Sequence, residues 1–375
     1  MSDYLYSSEL IDKICSIENI IIYGAGIMGK ALKMCLEAAP YNKKIECFLV
    51  KDIIGNPKII DGIPVKSISD CNYYKEREII VALNEKNMSS AILDLESAGF
   101  ARYIELGANS EDWSYIKGEY FYTNPDKCYV PYIPIECVEN NNNNLTRNIK
   151  PIVYVAKSIF DKKISSFCSN NSFEKYIQVG AALADKVIAD VCDDYGDNIS
   201  TENRIYCELT ALYWIWKNEQ AEYVGLEHYR RRFDISENML IDVLEQDVDV
   251  IVTIPVINTD GIGESYSRVH SRSDWEMLKN SVSKQYPEYI NSFNYVEKQN
   301  YFFPYNMCIM KKTVLNRYCE WLFPILKELR DLIGDKEDVY QNRYTGFMAE
   351  RLLNIFLYHN RKKLKIVVSK KKFLN

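Results

Sequence analysis

The densest run of chemically capable side chains is Glu227-His228-Tyr229-Arg230-Arg231. It follows an apolar stretch, residues 223–226, that reads as a β-strand. In open α/β folds the loops after parallel strands meet at one edge of the sheet, and ligands bind there. A carboxylate, an imidazole and two guanidiniums at such an edge can hold a metal ion or a diphosphate. Burying those charges without partners is costly, so they are either a solvated salt-bridge cluster or an occupied site. A second polar run, Asp193-Asp194-Tyr195-Gly196-Asp197-Asn198-Ile199-Ser200-Thr201-Glu202-Asn203, reads as another loop of that edge. It brings Asp194, Asp197, Asn198 and Asn203, and ends where Ser200 or Thr201 can cap a helix. A third, Gly24-Ala25-Gly26-Ile27-Met28-Gly29, lies between a strand and a helix. Gly24, Gly26 and Gly29 permit a tight turn, and the helix start offers free N–H groups to a phosphate. Asp52 follows about 20 residues later, where a ribose-binding acid is expected.

These groups need a scaffold, and the hydrophobic pattern supplies one. Residues 20–23, 45–50, 79–83 and 103–106 read as strands alternating with helices at 28–39 and 88–98. That alternation predicts a small Rossmann-like parallel sheet. Pro125, Pro131, Pro134 and the Asn140–Asn144 run then read as a connector. Beyond it the pattern restarts, with strands expected at 152–156, 223–226, 250–254, 307–310 and 364–368. Helices are expected at 203–217, 314–330 and 347–358. The fold class is α/β with two domains: 1–123, a linker at 124–150, and 151–375. Asp247-Val248-Asp249 is a literal Asp-x-Asp, but it precedes a strand and so falls at the opposite edge, which marks it as structural.

Composition excludes several classes. The 375 residues suit two domains, and 47% hydrophobic with 26% charged residues is ordinary for a globular chain. Eleven scattered cysteines and three histidines give no zinc or disulfide framework. The amino-terminal residues carry Asp3 where a signal peptide carries Lys or Arg, so the expectation is a cytoplasmic chain. A net charge of −6 argues against nucleic acid. The last fifteen residues hold seven Lys and Arg and no acid. They read either as a solvated basic end or as a tail drawn to anionic lipid.

Two resemblances add to this. The region 24–52 with Gly55, Asp61-Gly62-Ile63-Pro64 and Val81-Ala82-Leu83-Asn84 resembles the nucleotide-sugar-binding domain of bacterial sugar acyltransferases. A dinucleotide site and a noncatalytic adaptor remain alternatives for it, and an NAD(P)-dependent sugar-nucleotide oxidoreductase or epimerase is the corresponding alternative activity. Farther on, Gly196-Asp197-Asn198-Ile199-Ser200, Leu209-Thr210-Ala211-Leu212-Tyr213-Trp214-Ile215-Trp216-Lys217-Asn218, His228-Tyr229-Arg230-Arg231 and Glu350-Arg351-Leu352 resemble domain of unknown function 4422. Members occur in bacterial capsular and exopolysaccharide synthesis and are taken to be glycosyltransferases.

That resemblance implies a GT-A-like second domain, a UDP-sugar donor carrying a hexose such as galactose or galactofuranose, and a saccharide acceptor, lipid-linked at the membrane. It places Lys157 near the nucleotide base and Asn203 in a donor-contacting helix start. Glu227 stands in place of an Asp-x-Asp, which leaves a Mn2+ or Mg2+ ion open. Arg230 and Arg231 would neutralise the leaving diphosphate. Glu350 is the expected general base, with Asp338 and His270 as further catalytic candidates and His270 also as an acceptor contact. The run Tyr301-Phe302-Phe303-Pro304-Tyr305 offers flat faces for sugar stacking or for the core.

Overall fold

The computed structural model describes residues 9–139, 148–164 and 171–374. Two compact units emerge: Met1–Cys128 with Ile257–Thr259, and Tyr129–Val256 with Asp260–Asn375. Part of the stretch read as a connector belongs to the second unit. There Tyr129 hydroxyl donates to Asn354, Pro134 bridges Val368, and Ile135 is buried. The Asn140–Asn144 run lies outside the described residues.

In the first unit, strands Asn19–Tyr23, Lys44–Val50, Ile63–Ser67, Ile79–Leu83 and Tyr103–Gly107 pair in parallel, with Ile59–Ile60 antiparallel at the edge. Helix Ile27–Glu37 packs on this sheet, and helix Glu85–Ser97 starts at Asn84, whose side chain accepts the Asn87 N–H. Ile20–Ile22 and Ile79–Val81 are fully buried, as expected of parallel strands covered on both faces. The three glycines differ in what they do. Gly24 has φ +116°, and a side chain there would meet Ala82 O at 2.8 Å. A Cβ on Gly29 would lie 1.8 Å from Gly24 O, whereas Gly26 faces open space. Asp52 is exposed, and its carboxylate accepts the Ile54 N–H of its own turn.

In the second unit the sheet runs, in spatial order, Ile366–Ser369, Val250–Thr253, Cys308–Lys311, Tyr223–His228, Ile152–Lys157, Glu174–Gln178 and Val191–Cys192. Cys308–Lys311 is antiparallel to both its neighbours, and the other pairs are parallel. Helices Leu209–Asn218, Lys312–Ile333 and Tyr344–Asn360 carry most of the polar residues of interest or pack beside them. The helix expected over 203–217 is broken. Cys207 adopts φ +51°, and the Asn203 carboxamide donates to Cys207 O and to Thr210 Oγ1, supplying a partner where the ladder ends.

The basic end is also not a loose tail. Ile366–Ser369 is a buried sheet strand, and Lys371–Phe373 pairs antiparallel with Arg231–Phe233. Lys365 donates to Gln246 O, Lys370 pairs with Glu136 at 3.7 Å, and Lys371 is buried. The continuous apolar run Ile366-Val367-Val368 draws this segment into the sheet, leaving Lys362 and Lys363 exposed before it. Among the described residues no helix is long and apolar enough to cross a membrane. Gly29→Ala is expected to cost at least ~2 kcal/mol by overpacking, and Gly26→Ala less than ~1 kcal/mol, measured by chemical denaturation.

Candidate functional site

The carboxyl edge of the second sheet gathers the chemistry. Strand Ile152–Lys157 ends at Lys157, and Ser158 N–H donates to Asp161 Oδ2 at 2.7 Å, closing a tight turn. A cavity of roughly 440 Å³ opens here, lined by Lys157, Asp161, Lys162, Lys163, Lys186 and Tyr229 among others. Four lysines and one aspartate line it, so the cavity suits an anion of nucleotide size. Tyr229 N–H donates to Ala156 O at 3.1 Å, tying this turn to the next strand. Burial pushes the Asp161 carboxyl up, opposed by the Ser158 N–H, by His228 and by Lys157.

His228 ends strand Tyr223–His228, and its Nε2 donates to Tyr305 O at 2.7 Å. Tyr305 and Asn306 both lie in the left-handed region, with φ of +73° and +53°. Such strain in non-glycine residues persists only when neighbours hold it. They do. Tyr305 N–H donates to Glu350 Oε1 at 2.8 Å, and Asn306 Nδ2 donates to Glu208 Oε1 at 2.8 Å and Gly346 O at 3.2 Å. Asn306 is 2% exposed, and its Oδ1 has no donor among the described residues.

Glu350 sits on helix Tyr344–Asn360, with its second oxygen paired to Arg351. Burial raises its pKa; Glu208 adds to the rise, while Arg351, the Tyr305 N–H and His228 oppose it. Lys157, Asp161, His228, Glu208 and Glu350 thus form one electrostatic neighbourhood. Arg231 stacks 4.5 Å over the Tyr305 ring, and Lys371 lies 5.7 Å from the same ring.

Several expected site residues serve other ends. Glu227 is fully buried: Oε1 accepts the Phe233 N–H at 2.7 Å and Oε2 lies 3.8 Å from Arg232, which also pairs with Glu174 at 2.8 Å. Successive strand residues face opposite sides of the sheet, so the Glu227 and His228 side chains point away from each other. Its carboxylate therefore does not fit a metal seat, and among the described residues no group of three His, Cys, Asp or Glu could hold one. Arg230 donates from Nε to Leu374 O rather than pointing to a diphosphate. Asp194 is exposed. Asp197 accepts from Tyr213 hydroxyl, and Asn198 caps Ser200 N–H within its own loop. Asn203 serves the helix break described above.

Asp338 is exposed and accepts the Gln341 N–H, so it caps a turn instead of joining Glu350. His270 bonds Gln341 and stacks on Phe347, with no hydrogen bond to Glu350. Tyr301, Phe302 and Phe303 are core rings, 1–6% exposed, which leaves Tyr305 as the partly accessible ring of that run. Gly24, Gly26, Gly29 and Asp52 lie in the first unit.

Glu208, Asn306 and Asp161 were not singled out as site residues. Glu208 had a readable signal, an acid at the start of the apolar helix 209–218. The other two depend on turns that short-range pattern does not reveal.

The model for the domain of unknown function DUF4422 matches residues 158–361. The chain belongs to that family. The match spans the turn carrying Asp161 and the helix carrying Glu350. A solved structure described as the apo form of WbbM, a bifunctional glycosyltransferase, is similar at 29% identity with a TM-score of 0.54. The likeness covers 60% of this chain and 45% of that one, so this chain spans less than half of its structural relative. No curated protein matches the chain.

Burial, then Glu174, lifts the Glu227 carboxyl to about 8. The folded chain then holds a proton that the unfolded chain releases, so stability falls as pH rises from about 4.5 to about 8. Glu227→Gln keeps an acceptor for the Phe233 N–H and is expected to flatten that decline, as read from denaturation midpoints across this range.

Proposed function

We propose that the second unit is a GT-A-like glycosyltransferase. It moves a hexose, with galactose or galactofuranose as candidates, from a UDP-sugar to a saccharide intermediate of a capsular or exopolysaccharide. The acceptor is lipid-linked and the reaction runs at the cytoplasmic face of the membrane. The observation that carries this reading is the meeting of a lysine-lined cavity, His228 and Glu350 along one sheet edge. Family membership and the likeness to a glycosyltransferase support it, as does a parallel sheet with one internal antiparallel strand. We read the first unit as an accessory nucleotide-sugar-binding module, consistent with the open space at Gly26.

In this scheme Lys157 and Lys186 bind the anionic donor, and the positive field stabilises charge as the nucleoside diphosphate departs. Glu350 takes the proton of the attacking hydroxyl in an inverting transfer. Its raised pKa strengthens it as a base. Arg351 and the Tyr305 N–H hold its two oxygens in place.

Titration calorimetry with UDP and a panel of UDP-sugars tests the donor. Binding is expected, weakened at least ~10-fold in Lys157→Ala/Lys186→Ala through loss of charge-assisted contacts. Absence of binding by UDP and by every UDP-sugar would sink the assignment. Glu350→Gln is expected to lower kcat by ~10²–10⁴-fold while UDP affinity is kept. Because the base must be deprotonated, the wild-type rate should climb with pH through a Glu350 pKa above the ordinary carboxylate value.

A further inference from the structure

Sugars need flat apolar faces framed by hydrogen-bonding groups. The aromatic run at 301–303 is buried and cannot supply them. A different cluster can. His270, Tyr340 and Phe347 bring their rings together with centroid separations of 4.2 Å for His270–Phe347, 5.0 Å for Tyr340–Phe347 and 5.9 Å for His270–Tyr340. None of the three is buried, and Tyr340 is 51% exposed. Phe347 and Glu350 stand three residues apart on helix Tyr344–Asn360 and therefore share a face. Arg351 links them, donating from Nη1 to Phe347 O at 3.0 Å while pairing with Glu350.

The hydrogen bonds also fix the state of His270. Gln341 Nε2 donates to Val269 O at 3.0 Å, which turns its Oε1 toward His270 Nδ1, also at 3.0 Å. An amide oxygen only accepts, so Nδ1 carries the proton and Nε2 is left with its lone pair. No partner for Nε2 exists among the described residues. Burial lowers the His270 pKa, with the Arg351 and Lys336 charges acting in the same sense and the Gln341 bond and Asp274 opposing, which favours the neutral ring.

We propose that Tyr340, Phe347 and His270 form the stacking platform for the acceptor saccharide, with His270 Nε2 accepting a hydrogen bond from one of its hydroxyls. The occupant is a sugar rather than an apolar peptide because the rings are rimmed by polar groups. The exposed Arg343 guanidinium lies 5.8 Å over the Phe347 ring, and the Gln341 carboxamide borders His270. The proposal rests on the reading of Glu350 as the base, which stands one helical turn from Phe347.

Saturation-transfer NMR on the full chain tests the platform independently of the donor. The probes are methyl glycosides of galactose, glucose, mannose and rhamnose and the β-linked disaccharides of each. At least one is expected to receive saturation from protein aromatic protons, with affinity falling about threefold to tenfold in Tyr340→Ala. His270→Phe, which keeps a ring and removes the acceptor nitrogen, should weaken the same probe, and Tyr195→Ala, an exposed ring elsewhere, should not. If no probe receives saturation, or if Tyr340→Ala and His270→Phe bind like wild type, the platform is overturned. In turnover with a UDP-sugar, Tyr340→Ala should raise the acceptor KM and leave the UDP affinity as in wild type. Loss of UDP binding in wild type would instead count against the proposed transferase reading.

Discussion

The second unit depends on one strained turn. Tyr305 and Asn306 hold consecutive left-handed conformations, each costing of the order of 1 kcal/mol or more. The cost is offset by Glu350, Glu208 and His228, which take up the turn's N–H, amide and carbonyl groups. Three elements remote in sequence are thereby fixed to one another. The same contacts that relieve the turn orient the carboxylate and the imidazole at the sheet edge. Removing any one leaves a buried polar group without its partner, so the packing and the chemistry cannot be tuned separately.

Asn354 extends this arrangement one turn along the helix. Its carboxamide accepts from Phe303 N–H and donates to Phe303 O and Glu350 O, pinning the aromatic run to the helix backbone. The run therefore supplies core rings, and its geometry passes to Tyr305 beyond it. Arg231 and Lys371 complete the surroundings by stacking on Tyr305 and Phe373. Two cations on two rings tolerate burial better than bare charges because the ring faces attract them.

Much of this was legible in the sequence, and the failures are instructive. Continuous apolar runs such as Ile79-Ile80-Val81-Ala82 announce parallel strands, and the strand before His228 was legible in the same way. Asp247 and Asp249 fall before their strand, where Lys311 bridges them at 2.5 Å and 3.6 Å. Glu227 was misread although its parity was visible. Tyr223, Gly225 and Glu227 form one face, and Val224, Leu226 and His228 the other. Asn306 and Glu208 could not be paired by inspection, because left-handed asparagine has no periodic signal and the two lie 98 residues apart. The broken helix at Cys207 was hidden for a related reason: apolar spacing runs through the break, and only the Asn203 side chain marks it.

The hairpin bearing Arg231 finds its outer partner late. Arg230 and Leu374, 144 positions apart, exchange bonds in both directions, Arg230 Nε to Leu374 O and Leu374 N–H to Arg230 O. During synthesis that hairpin's free edge must wait, unpaired, until a strand about 144 residues farther along has left the ribosome. A nascent product halted short of Lys371 would thus leave the Tyr305 ring without the ammonium that lies 5.7 Å from it.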